Sequence, residues 1–254
     1  MTLKDFGYAP GFYCFHCIDC PKGLPLSEQP MADKRSWRCE KHAQEALDAY
    51  LAKPKTVRVI GIDPSLTATG WVIADVDVTK WEIVDIIEMG LSETSPAGKK
   101  SKTRVSSDNV ARARKQRCSM TDAIETHRAQ IACSEVPSGA QSAKAALAFG
   151  IVIGLLAALP IPMVEVTPTQ VKVAACDDKT ADKEDIMRWA LDMTRKLGGL
   201  AFWKTAKKPN EFEIELDGQF LIKKMEHQAD AVAVVQAALR TPEFRQIARK
   251  IVPI

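Results

Sequence analysis

Four residues have the types and placement to do chemistry together. Asp63 interrupts the apolar run "VRVIGIDPSLTATGWVIAD", residues 57–75. Glu135 ends the strand read in "AQIACSEV", and His227 and Asp230 stand three apart in "HQADAVAVV". Burying an unpaired charge costs several kcal/mol, so Asp63 needs a partner. A spacing of three puts His227 and Asp230 on one helical face. Converging carboxylates cannot all ionise unpaired, and Mg²⁺ or Mn²⁺ resolves the repulsion. Two such ions about 4 Å apart suit in-line hydrolysis of a phosphodiester. Taken singly each residue is weak. A strand-end Asp is commonly a turn former, and His227 and Asp230 also suit the polar face of an amphipathic helix. Their weight comes from occurring together, in order, at element ends.

A second constellation lies near the start. Cys14-x-x-Cys17 is followed by Cys39-x-x-His42, and the second pair opens the stretch "CEKHAQEALDAYLAK". Zinc takes four N/S ligands in a tetrahedron, and a C-x-x-C knuckle supplies two thiolates from one turn. A knuckle plus a ligand pair at a helix start is treble-clef-like. In some fifty residues with little core, a structural Zn²⁺ would supply the missing stability. Cys20 is an alternative ligand, because Cys17-x-x-Cys20 is an equally good knuckle, and His16 lies between. Lys34, Arg35, Trp37, Arg38 and Lys41 offer a nucleic-acid face or simply a solvated one.

These groups need elements to position them. Residues 1–52 read as the zinc-binding module, "LAKPKT" as a linker, and 56–254 as an α/β domain. Strands are expected at 57–63, 70–77 and 81–89, and again in "AQIACSEV" and "MVEV". Helices are expected at 109–129 with Asp108 or Ser107 as N-cap, and at 139–159. Three more should open at "TPTQVKVAA", start near Asp182, and span 225–239. Residues 92–108 are polar and loop-like; residues 200–223 suggest a loop with a hairpin. The run 145–163 is long and apolar, but Pro160 and Pro162 end it, so it reads as a buried helix feeding a strand rather than a membrane span.

The 254 residues carry a formal net charge of +3, which permits nucleic-acid binding without demanding it. Seven cysteines with no secretory signal argue against a disulfide framework and for a reducing compartment.

The blocks "GIDPSLTATGWVI", "SEVPSGAQSAKAALAFGIVIGLLAALPIPMVEVTPTQVKVAACDDKTADKEDI" and "HQADAVAVV" resemble, in order, those of the RuvC family of Holliday-junction resolvases. The resemblance covers most of residues 57–240 and none of the first fifty. It implies an RNase H-like mixed sheet flanked by helices, following the zinc module. It implies a structure-selective DNA endonuclease that resolves four-way junctions with two Mg²⁺ or Mn²⁺ ions held by Asp63, Glu135, His227 and Asp230. Lys172 and Lys183 match basic residues that contact DNA or steady charge at the scissile phosphate. It also implies a homodimer, because symmetric resolution needs two coupled sites.

Lys99, Lys100, Lys102, Arg104, Arg112, Arg114, Lys115 and Arg117 form a strip suited to tracking a DNA backbone, or a charged solvated face. Departures from the family concern junction contacts: Val136, Pro137 and Ser138 stand where an aromatic is frequent, and "CDDKT" replaces a Gly-containing turn. Two rivals stay open. One is a broader branched-DNA or flap nuclease; the other is a non-catalytic nucleic-acid- or protein-binding module on the same fold. The expected setting is the cytoplasm of a bacterial or phage-infected cell, with no membrane partner.

Overall fold

A computed structural model of the chain describes residues 40–51, 55–98, 102–137, 139–198, 212–216, 219–222 and 225–252, besides Thr2 and Asp5. The chain divides into two compact units, Met1–Pro54 and Lys55–Ile254. In the first, helix α1 spans Glu40–Leu51. Cys14, Cys17, Cys20 and Cys39 lie outside the described residues. His42 sits in the first turn of α1, with Nε2 3.8 Å from Glu45 Oε2.

The second unit is built on five strands: β1 Thr56–Asp63, β2 Ala68–Asp77, β3 Glu82–Glu93, β4 Ile131–Glu135 and β5 Met163–Val166. Their order in the sheet is β3-β2-β1-β4-β5. The first three pair antiparallel, and β4 and β5 run parallel to β1. This mixed sheet, covered on both faces by helices, is an RNase H-like α/β architecture. Two further strands, β6 Phe212–Leu216 and β7 Gln219–Ile222, pair as a separate hairpin.

Alternation along β1 decides what lies on each face. Val57 and Val59 join a core with α4 (Pro168–Cys176), α5 (Lys183–Lys196), α6 (Glu226–Leu239) and α7 (Pro242–Ile251). Ile60 and Ile62 face the other way, toward α2 (Val105–His127) and α3 (Ala143–Ala157). Arg58 and Asp75 face each other in register, with a two-pronged ion pair at 2.8 and 2.9 Å. A third guanidinium nitrogen donates to the carbonyl of His127 and ties in the end of α2.

Several boundaries differ from the sequence reading, for local reasons. Helix α2 starts earlier than expected, at Val105 with Arg104 as N-cap, and ends on Arg128 in the left-handed conformation. Asp108 therefore lies inside the first turn, where its charge favours the helix dipole. Helix α7 was not anticipated, although Thr241 caps it and Pro242 occupies its first turn. Helix α3 is the larger correction: it is not buried. Only Val152 and Leu156 are enclosed, while Leu147 and Ile153 are 53% and 42% exposed. Among the described residues no helix is long and apolar enough to cross a membrane.

Two glycines set how closely α6 approaches the sheet. A Cβ on Gly61 would run into the carbonyl oxygen of Ala231, and one on Gly70 into the backbone of His227. We predict that Gly70→Ala destabilises the domain by about 1–3 kcal/mol, as overpacking does, and Gly61→Ala similarly. Urea unfolding of each variant checks this.

Candidate active site

Asp63 is the last residue of β1, the strand at which the sheet order turns from β2 and β3 to β4 and β5. Ligands of open α/β sheets bind outside the carboxyl ends of strands at such a point. Glu135 ends β4 one residue beyond the paired Ile62 and Ser134, which sets it beside Asp63. Both share the sheet face of Gly61, the face that α6 covers. Because Gly70 pairs with Asp63 and also abuts His227, the first turn of α6 is pressed onto the end of β1. His227 Nδ1 then lies 2.6 Å from Asp63 Oδ2.

The turn after Asp63 is held by its own hydroxyls and by Arg112. Thr69 Oγ1 donates to the Ser65 carbonyl and accepts from the Ser65 N–H. The Arg112 guanidinium donates to Leu66 O, Thr94 Oγ1 and Thr67 Oγ1. Arg112 thus braces the loop that carries Asp63. Lys102, Arg104, Arg114, Lys115 and Arg117 are exposed, and Lys99 and Lys100 lie outside the described residues.

The electrostatics couple Glu135, His227 and Asp230 to the charge of Asp63. Burial pushes Glu135 up to about 7, and the Asp63 charge pushes the same way while Lys172 opposes it. Asp230 is likewise pushed up to about 7 by burial, then by Asp63 and Glu135, with His227 and Lys183 opposing. His227 is raised by its hydrogen bond to Asp63, against the effect of burial. Lys172 in α4 and Lys183 in α5 are therefore the cations that this acidic cluster feels. Sequence reasoning passed over Glu226, which is buried beside His227 and 3.0 Å from Lys183 Nζ. Its only signal was its place next to His227 in "EHQAD".

No family model matches the chain, and no curated protein matches it. Among solved structures, RuvC of T. thermophilus in complex with Holliday junction substrate is 20% identical, covering 71% of this chain and 92% of that one, with a TM-score of 0.49. The yeast mitochondrial Holliday junction resolvase Ydc2 is 12% identical, covering 82% and 90%, with a TM-score of 0.46. A Fowlpox virus resolvase in complex with Holliday junction DNA is 12% identical, covering 57% and 87%, with a TM-score of 0.29.

Among the described residues no three His, Cys, Asp or Glu side chains are gathered closely enough to hold a metal ion. His227 Nδ1 faces Asp63 Oδ2. The donor set nevertheless fits a hard divalent cation. Burial and mutual repulsion raise two carboxyls toward neutrality, and a bound cation would offset both effects by favouring the charged carboxylates.

The raised carboxyls make the metal-free fold pH-sensitive. Between the unfolded values near 4 and the folded values of about 7, the folded state binds more protons than the unfolded one, so stability falls as pH rises. The raised His227 acts in the same direction. We predict that metal-free protein melts at a lower temperature at pH 8 than at pH 5.5. Asp230→Asn should flatten that slope and raise the pH 8 melting temperature, at about 2–4 °C per kcal/mol recovered. Scanning calorimetry with and without Mg²⁺ checks both, and Mg²⁺ should stabilise the wild type more at pH 8.

Proposed function

We propose that this chain is a metal-dependent, structure-selective DNA endonuclease that resolves four-way junctions. The observation that carries it is the His227–Asp63 contact at the end of β1, with the half-buried carboxyls of Glu135 and Asp230 both raised to about 7, in part by the charge of Asp63. Such tuning marks a site built for charge rather than for stability. The sequence blocks shared with the RuvC family point to the same chemistry and to branched DNA.

Asp63, Glu135, His227 and Asp230 would hold two Mg²⁺ or Mn²⁺ ions. When bound, such ions activate water and stabilise the leaving oxygen in phosphodiester hydrolysis. The strand ends fix Asp63 and Glu135 rigidly, and Arg112 prevents the turn after Asp63 from sagging. Lys172 and Lys183 place positive charge at the rim, where the scissile phosphate would sit. The exposed cations of α2 would contact the backbone away from the cut, which makes binding salt-sensitive.

Symmetric resolution calls for a second copy. The exposed face of α3 supports this reading. Leu147 and Ile153 stand out to solvent, and among the described residues nothing lies within 4 Å of the Cβ positions of Gly150 and Gly154. A helix from another subunit could approach that stripe closely. The unit 1–52 as a zinc-stabilised DNA-binding knob, and a phage or bacterial cytoplasmic setting, belong to the same proposal.

Asp63→Asn is expected to reduce Mg²⁺-dependent cleavage of a four-way junction by about a thousandfold or more while junction binding persists. Undiminished cleavage removes the site. A panel of four-way, flap and linear DNA separates a resolvase from a broader branched-DNA nuclease. Leu147→Glu with Ile153→Glu should convert a dimer to a monomer in light scattering without unfolding it, since both positions are solvent-facing.

A further inference from the structure

Glu226 opens α6 and is only 8% exposed, yet the roles assigned so far leave it unused. A buried carboxylate needs cations or donors. Glu226 has one on each oxygen: Lys183 Nζ lies 3.0 Å from Oε2, and His227 Nε2 lies 3.8 Å from Oε1. The Lys183 side chain is 71% exposed, so the pair has a fixed, enclosed acid and a solvent-facing ammonium. Lys183 starts α5 immediately after its Asp182 N-cap, so its backbone is held as well.

Anchoring α5 to α6 does not explain the pair. Ile186, Met187, Ala190 and Leu191 of α5 are already buried in one core with α6. A half-exposed ion pair adds little to that. What the pair does is restrict a side chain that would otherwise sample many rotamers. It places the ammonium on the carboxylate whose other oxygen faces His227, near enough to Asp230 for its charge to oppose the raising of that carboxyl.

We propose that Glu226 is a positioning residue that holds the Lys183 ammonium at the rim of the cluster, ready to be shared with a non-bridging oxygen of the phosphate being cut. This rests on the nuclease reading above. No proton changes hands: Lys183 stays an ammonium, Glu226 stays a carboxylate, and the incoming phosphodiester joins as a second acceptor. Glu226 itself does not touch the substrate. Its effect belongs to the rate of the chemical step rather than to DNA affinity, because the phosphate contacts that set affinity are spread over the DNA backbone.

The test is a double-mutant cycle on the full-length chain: wild type, Glu226→Gln, Lys183→Met and the double variant. Single-turnover Mg²⁺-dependent cleavage of a four-way junction is measured beside junction affinity in Ca²⁺ and the melting temperature. Glu226→Gln should slow the single-turnover step about tenfold, with affinity within about twofold. The double variant should be no slower than Lys183→Met alone. Multiplying effects in the double variant, an unchanged rate in Glu226→Gln, or an affinity loss that accounts for the rate loss each overturn the proposal. If Glu226→Gln does not fold, Glu226→Asp, which keeps the charge but shortens its reach, takes its place in the cycle with the same outcomes. Absence of cleavage by folded wild type overturns the nuclease reading, and the proposal with it; cleavage with additive variants overturns the proposal alone.

Discussion

The site depends on how near a helix backbone can come to a strand. Helix α6 lies on β1 and β2 with no side chain between them at two points, Gly61 against Ala231 and Gly70 against His227. Any Cβ there would lift the helix. The first two turns of α6 carry His227 and Asp230, and their height above the sheet decides whether those groups reach Asp63. The small residues further along α6, Ala229, Ala231, Ala233, Ala237 and Ala238, are all buried and keep the approach close along its length. Packing and chemistry thus share one constraint.

That closeness creates an electrostatic conflict. Bringing Asp63, Glu135 and Asp230 together in a half-buried setting raises the latter two and draws His227 into a hydrogen bond with Asp63. An apolar side chain at any of these positions would suit the fold better. Four charged or ionisable groups in place of one continuous core are understandable if a cation completes them. The surrounding structure is over-determined to hold the conflict: the Ser65–Thr69 turn, the Arg112 brace and the two glycines all act within a few residues of it.

The two faces of the sheet are not equivalent. The α6 face is closed by four helices into a large core. The other is covered by α2 and α3, and α3 leaves apolar side chains in solvent. An amphipathic helix of a monomer normally turns such a stripe inward. A helix that is apolar around most of its circumference, yet buried at only two positions, is suited to a surface that a second copy covers.

The sequence by itself determined where in the fold the four candidate residues stand. Asp63 and Glu135 at strand ends, His227 and Asp230 three apart on a helix, and the caps Thr167 and Asp182 are all local signals, and each stands where its pattern places it. Strand alternation assigned side chains to faces for the same reason, whereas the mixed order and direction of the strands, set by distant pairings, were implied only by the resemblance to the RuvC family. What depends on distant residues could not be read. The partner of Asp63 is a nitrogen 164 residues away, and Arg112 looked like a DNA contact until the turn it holds came within reach. Glu226 was hidden because a buried carboxylate and an exposed one are the same letter. The exposure of α3 was missed because apolarity alone does not say whether another helix of the same chain will cover it. Those assignments belong to tertiary packing, which chooses among residues of equal local propensity by deciding which of them meet.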